Sequence, residues 1–156
     1  MTSKNKATPD RLVVILGDQL DPDHPIVAAL NPARDAAFMA EVREEATHVW
    51  SHKARITLFL SAMRHFRDNL EARGITVRYF ALERHSHASL AAALAAELKR
   101  HRPQRVAMLQ AGDARVQAAI EATVLRAELP LQVVADPHFL VKPETFQDWL
   151  GQRKQP

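Results

Sequence analysis

Short apolar runs alternate with helix-like segments along most of this chain, and this alternation restricts its fold more than any other feature. The runs predict strands at Arg11–Leu16, Ala37–Val42, Thr76–Leu82, Arg105–Leu109 and Leu131–Ala135. Most of these runs are apolar throughout rather than alternating with polar residues, which is typical of strands that are covered on both faces.

Segments with helical periodicity separate the strands. In the clearest, Lys53–Arg73, apolar residues recur on one face and Gly74 follows as a stop signal. Other helices are predicted at Ser89–Arg102 and Asp113–Glu128, with a single turn around Ile26–Leu30 and a short last helix opening at Pro143.

This order of elements predicts an α/β fold: one doubly wound, five-stranded parallel sheet of the Rossmann-like or flavodoxin-like kind. We expect one domain over residues 11–150, after a disordered lead-in at 1–10 and before the start of a linker at 151–156. Trp149 is expected to pack the last helix onto the sheet.

Composition excludes several classes of protein. The absence of cysteine excludes disulfides, thiolate catalysis and any cysteine-held zinc or iron–sulfur site in this chain. A net charge of +3, without a long run of like charges, gives little support for nucleic-acid binding. The chain lacks an apolar stretch of the roughly 18 residues that suggests a membrane span, and its start lacks a signal core. We therefore expect a cytoplasmic protein that does not enter a membrane.

The first strand runs directly into Gly17, Asp18 and Gln19. In doubly wound sheets, ligands bind beyond the carboxyl ends of the strands, so these residues are candidates for a binding site. Asp and Gln can hydrogen-bond a polar heterocycle or a ribityl chain, and Gly lets the backbone approach a ligand closely. The alternative is a strand-ending turn with a solvated Asp, which spacing alone favours.

Catalytic and metal-binding signatures are weak. GxGxxG, GxxxxGK[ST] and GxSxG patterns are all missing from the sequence. His85 and His87 stand two residues apart and could contribute to a metal site, although a solvated loop is the better interpretation. Phe59 lies on the apolar stripe of the long helix, which predicts core packing. We predict no catalytic residue and no metal ligand in this chain.

Three stretches carry a resemblance to a known family: "VVILGDQL", "EVREEATHVWSHKARITLFLSAMRHFRDNL" and "ADPHFLVKPETFQDWL". Together they resemble the amino-terminal domain of the bacterial photolyase-related proteins, which comprise iron–sulfur bacterial cryptochromes and (6-4) photolyases. The resemblance covers nearly all of residues 11–150. Its most specific piece is "SAMRHF", Ser61–Phe66.

The resemblance implies a domain that holds an antenna chromophore, typically 6,7-dimethyl-8-ribityllumazine. By motif match, the residues that line the chromophore are Gly17, Asp18, Gln19, Ala40, Glu45, His48 and Phe59. His48 stands where a tyrosine is usual in the family, and Phe59 stands where a smaller aliphatic residue is usual.

The family also implies a partner for this domain, namely a larger helical domain that carries FAD, an iron–sulfur cluster and the lesion-binding surface. The parent would be a light-dependent DNA photolyase or a blue-light receptor. This chain would be its excised amino-terminal domain, without catalytic chemistry of its own and with little or no affinity for DNA.

Three interpretations stay open. In the first, the domain binds ribityllumazine and passes light energy to flavin for DNA repair or blue-light sensing. In the second, the chromophore site has been lost and the domain is a structural partner. The third is a stand-alone small-molecule enzyme, which no catalytic constellation supports.

Overall fold

The computed structural model describes residues 8–43 and 52–151, and all the predicted strands are present. Their bounds are β1 Arg11–Val14, β2 Asp35–Ala40, β3 Thr76–Phe80, β4 Arg105–Leu109 and β5 Leu131–Val134. The first three end two residues earlier than predicted, because their last apolar residues already belong to the loops at the carboxyl edge of the sheet.

The strands form a single sheet in the order β3-β2-β1-β4-β5, and every neighbouring pair is parallel. Val13 in β1 lies in register with Ala37 of β2 on one side and Ala107 of β4 on the other. This is the order of the first five strands in the classic Rossmann arrangement, so the predicted α/β class is confirmed.

The helices also follow the predicted pattern. They are α1 Pro25–Ala28, α2 Lys53–Ala72, α3 Leu90–His101, α4 Ala114–Arg126 and α5 Pro143–Gly151, with a 3-10 turn at Leu82–Arg84. Ser89 and Asp113 cap α3 and α4 by accepting hydrogen bonds from backbone N–H groups, as their residue types favour. Gly74 follows α2 with φ of +80°, a conformation that favours glycine.

Apolar side chains cover both faces of the sheet. Leu12 and Val14 point to the face covered by α3 and α4, whereas Val13 and Ile15 point to the face covered by α1 and α2. Strands that are buried on both faces need apolar residues at every position, which explains the continuous apolar runs in the sequence. None of the helices in residues 8–43 and 52–151 is long and apolar enough to cross a membrane.

Candidate functional site

The strand order reverses between β1 and β4, and the loops after these strands meet at this point. The chain builds β2 and β3 on one side of β1 and then crosses to β4 on the other side. A Cβ atom built on Gly112, in the loop after β4, would lie 3.9 Å from Asp18 Oδ2, in the loop after β1. In sheets of this kind, ligands bind in the crevice at such a reversal.

A cavity of about 310 Å³ lies at this crevice, which we call the switch-point cavity. Its volume is at the small end of the roughly 300–1,000 Å³ that is usual for small-molecule sites. Its apolar walls include Ile56, Phe59, Leu60 and Met63 of α2, together with Leu90 and Val116 from the helices on the opposite face. Its polar lining consists of Asp18, Glu41, Arg55 and Asp113. The combination of apolar walls and a few polar groups is that of a ligand pocket.

Four of the residues nominated by the family resemblance line the switch-point cavity: Gly17, Asp18, Ala40 and Phe59. They come from three segments, the loop after β1, the end of β2 and the first half of α2. Residues that are 42 positions apart, such as Gly17 and Phe59, are thus brought together by the fold. Glu45 and His48, which the resemblance also nominates, lie outside the described residues.

Gly17 and Phe59 approach each other closely. A Cβ atom built on Gly17 would lie 2.6 Å from Phe59 Cε1 and 3.0 Å from Met63 Sδ, so any larger residue here would collide with the ring. Phe59 is 37% exposed and lines the cavity, so the prediction of a core position for this residue is wrong. The apolar periodicity places Phe59 on the correct face of α2, where its ring meets Gly17 in the loop after β1.

Gln19 lies apart from the switch-point cavity. Its backbone N–H donates to Leu16 O (3.0 Å), which closes a turn with Gly17 and Asp18 at its centre. Its side-chain Nε2 donates to Gln110 O at 2.9 Å and so ties the loop after β1 to the end of β4. The turn and the pocket rim are therefore the same structure, and Gln19 faces a second cavity beside the first.

An ion pair between the buried Glu41 and the partly exposed Arg64 supports the wall of the site, and sequence reasoning missed it. Glu41, directly after β2, accepts from Arg64 Nε (2.7 Å) and Nη2 (2.8 Å), from the Tyr79 hydroxyl (2.5 Å) and from the Leu82 N–H (2.9 Å). Burial opposes ionisation of this carboxyl, but these donors outweigh it and lower the pKa of Glu41 to about 2. Burial and the hydrogen bond to Glu41 raise the pKa of Tyr79 above its ordinary value.

The signal that could have found this ion pair is Arg64 itself. It lies in "SAMRHF", the stretch most specific to the family, but on the polar side of the helical stripe. Its bidentate contact fixes α2 to the end of β2, and it thereby fixes one wall of the cavity. We infer a positioning role for Glu41 and Arg64.

Asp113 contributes a permanent negative charge to the cavity. The side chain and backbone N–H of Arg115 both donate to this carboxylate and lower the pKa of Asp113 to about 2. Asp113 is also the N-cap of α4, so its orientation is fixed by the helix that follows.

His85 and His87, the two neighbouring histidines, contact each other and the backbone of the protein. His85 Nδ1 accepts from the His87 N–H (3.1 Å), and His85 Nε2 lies 2.9 Å from Glu41 O. The two rings stack with their centroids 5.4 Å apart. In the described part of the chain, no three His, Cys, Asp or Glu side chains come together as a metal site would require.

Comparison with known proteins adds two findings. The family model for deoxyribodipyrimidine photo-lyase-related proteins matches residues 13–156. A (6-4) photolyase from Agrobacterium fabrum is 31% identical over an alignment of 148 residues that covers 92% of this chain. The chain spans only 29% of the length of that relative. Since the family model covers most of the chain, this protein belongs to the deoxyribodipyrimidine photo-lyase-related protein family.

Proposed function

We propose that this chain is the antenna-binding part of a photolyase-related protein and that the switch-point cavity holds the ring of 6,7-dimethyl-8-ribityllumazine. One observation carries the proposal. The cavity at the reversal of strand order is lined by Gly17, Asp18, Ala40 and Phe59, four of the residues that the family resemblance nominates for the chromophore.

The lining chemistry fits a flat heterocycle. Phe59, Ile56 and Leu60 offer an apolar wall on which a ring can pack, while Asp18 and Asp113 offer acceptors for N–H or hydroxyl groups at its edge. Arg55 adds a cation that can donate to ring carbonyl oxygens. When bound, the chromophore would absorb light and pass the excitation to a flavin held by a helical domain of the parent protein.

The parent activity proposed here is light-dependent DNA repair, because the curated relative is a (6-4) photolyase. Blue-light sensing is the alternative for the parent. In both cases this chain contributes light capture and no bond chemistry, with FAD and an iron–sulfur cluster in the remaining part and with the cytoplasm as the compartment. The chain itself would bind DNA weakly or not at all.

One observation favours a second function, in which the chromophore site is lost and the domain only supports its helical partner. The Phe59 ring lies directly against Gly17 and occupies space that a smaller aliphatic residue would leave open. The two functions differ in whether the remaining 310 Å³ accepts the ring of the chromophore.

Reconstitution separates these functions. The purified chain is incubated with ribityllumazine, passed over a desalting column and examined for a retained visible absorption band. Wild-type retention supports the antenna function, whereas retention only in Phe59→Ile supports crowding and the structural function. Retention by neither protein contradicts the proposed antenna function. Leu58→Ile is a matched control, because Leu58 is 71% exposed on the same helix and does not line the cavity.

A further inference from the structure

The last helix, α5, exposes its apolar side. Residues 144–151 are all exposed, and Phe146, Trp149 and Leu150 are each about half exposed. These three residues stand at i, i+3 and i+4, so they share one face of the helix. Helix α5 has only 9 residues, and isolated helices shorter than about 12–15 residues are marginal in water. Its apolar face is therefore expected to be covered by another surface.

The segment before α5 extends this face. The Phe146 N–H donates to Lys142 O at 3.0 Å, which makes Lys142 the residue that opens the helix. Val141 and Phe146 then occupy the two positions of a hydrophobic staple. Val141 is 55% exposed, and Leu140 before it is fully exposed. The α5 patch, as we call this surface, consists of Leu140, Val141, Phe146, Trp149 and Leu150.

The α5 patch is large for a surface that meets only water. A large apolar side chain has a surface of roughly 150–250 Å², so full exposure of Leu140 and half exposure of the other four residues amount to on the order of 600 Å². The largest apolar patch on a typical monomer is about 300–600 Å². Each partner in a standard protein–protein interface buries about 800 Å². The α5 patch thus supplies most of the area that one side of an interface needs.

The charges around the α5 patch select the kind of partner. Glu144 and Asp148 each stand two positions from Phe146, about half a turn away, so they lie on the opposite side of α5. Helices that lie on anionic membranes carry Lys and Arg on their polar side, and the phosphates of nucleic acid repel carboxylates. An acidic polar side favours neither partner. An uncharged face flanked by the neutral Thr145 and Gln147 instead suits another apolar protein surface.

We propose that the α5 patch binds the same patch of a second copy of the chain, with the two α5 helices packed antiparallel about a two-fold axis. The carboxylates point away from the face, so two copies meet there without repulsion. Such a contact uses one patch twice and buries on the order of 1,200 Å² in total, the lower end of the range for stable interfaces. Lys142, at the start of one helix, would lie near the last carbonyl groups of the other helix, where a cation is favourable.

Sedimentation equilibrium of the full chain, without any chromophore, tests the association. An interface of this size is typical of weak complexes, so we expect a dissociation constant of about 1–100 µM. The mass should rise over this range from 17.5 kDa towards twice that value. A monomer at every concentration up to about 500 µM, as packing of the patch onto its own sheet would give, overturns the inference. Because no chromophore takes part, either result leaves the proposed function to its own test.

Trp149→Gln tests whether the α5 patch is the surface that associates. Buried tryptophans are frequent hot spots of interfaces, so the dissociation constant of the dimer should rise by about tenfold or more. Leu125→Gln is the matched control, because Leu125 is 76% exposed on α4 and lies outside the patch, and it should leave the association unchanged. Equal association of the wild type and Trp149→Gln contradicts the inference.

A cysteine cross-link identifies the face even if Trp149→Gln unfolds α5. The chain contains no cysteine, so an introduced thiol can pair only with its copy in a second chain. Gln147 flanks the patch near the middle of α5, where two antiparallel helices come close, whereas Asp148 lies on the opposite side. Under mild oxidation, Gln147→Cys should form the linked dimer at least about tenfold faster than Asp148→Cys, because the interface raises the effective concentration of its thiols. Equal rates overturn the proposed packing.

Discussion

Replacing Gly17 by alanine should destabilise the chain mainly through the contact of the new Cβ with Phe59, with a weaker contribution from Met63 Sδ at 3.0 Å. The new Cβ would lie 2.6 Å from Phe59 Cε1, whereas carbon atoms pack at about 3.5–4.0 Å, so the ring must move by roughly 1 Å. Overpacking of this kind costs about 1–3 kcal/mol. Because Phe59 is 37% exposed and can swing outward, we expect a loss near the lower end, about 1 kcal/mol.

A double-mutant cycle isolates this contact. The free energy of unfolding is measured in urea for the wild type, Gly17→Ala, Phe59→Ile and the double variant. With the ring removed, Gly17→Ala should cost less than about 0.5 kcal/mol, which gives a coupling free energy of about 1 kcal/mol. In thermal unfolding, the single variant should lose about 2–4 °C relative to the wild type.

Gly112→Ala is the matched control for this cycle. Its Cβ would meet only ordinary contacts, at 3.9 Å from Asp18 Oδ2 and 4.0 Å from Phe139 Cζ. It carries the same effect on the entropy of the unfolded chain as Gly17→Ala, so the difference between the two reports the collision. Additive free energies in the cycle, or equal losses for the two glycines, would refute the close approach of Phe59 to Gly17.

Three further predictions concern the frame around the site. The pKa of Glu41 is about 2 in the folded state and 4.5 ordinarily, so the stability that its charge contributes is complete above pH 4.5 and is lost as the pH falls towards 2. The free energy of unfolding should therefore fall less steeply with decreasing pH in Glu41→Gln than in the wild type. An equal slope in the two proteins would contradict the ion pair with Arg64. Leu94→Ala should cost about 2–5 kcal/mol in urea unfolding because the side chain is fully buried, while Leu125→Ala, 76% exposed, should cost less than about 0.5 kcal/mol. Ser89→Ala should cost about 1 kcal/mol through loss of the α3 cap, and no change in unfolding would exclude that cap.

Local patterns were sufficient to predict the sheet and its helices. The continuous apolar runs of β1, β2 and β4 reflect burial on both faces of the sheet. The two helix caps each depend on the type of one residue, Ser89 or Asp113. The strand order could not be predicted from local patterns, because the sequence predicts parallel strands but does not distinguish a Rossmann-like from a flavodoxin-like order. That distinction depends on contacts between distant segments.

The site was harder to predict because periodicity gives the face of a helix and not what lies beneath it. Phe59 and Met63 share the apolar stripe of α2 and both line the switch-point cavity, yet Met63 is buried while Phe59 is 37% exposed. The Glu41–Arg64 pair joins residues 23 positions apart, and its signal in the sequence, an arginine on the polar side of α2, does not identify the partner.

The terminal helix α5 is about half exposed along its apolar side. Trp149 is 47% exposed and stacks on Phe146, with ring centroids 5.8 Å apart, and its packing onto the sheet stays a prediction. The apolar spacing of α5 is that of a helix with one buried side, but Phe146 and Leu150 are also about half exposed in the described structure.

The most direct test of the proposed chromophore site uses the four glycines of the chain. Two of them, Gly17 and Gly112, line the switch-point cavity, and two, Gly74 and Gly151, do not. Glycine amide nitrogens resonate apart from most others, so a two-dimensional amide NMR titration with ribityllumazine can follow all four. We expect saturable shifts at Gly17 and Gly112 with Gly74 and Gly151 unchanged. Unchanged signals at Gly17 and Gly112 under saturating chromophore would contradict binding in this cavity.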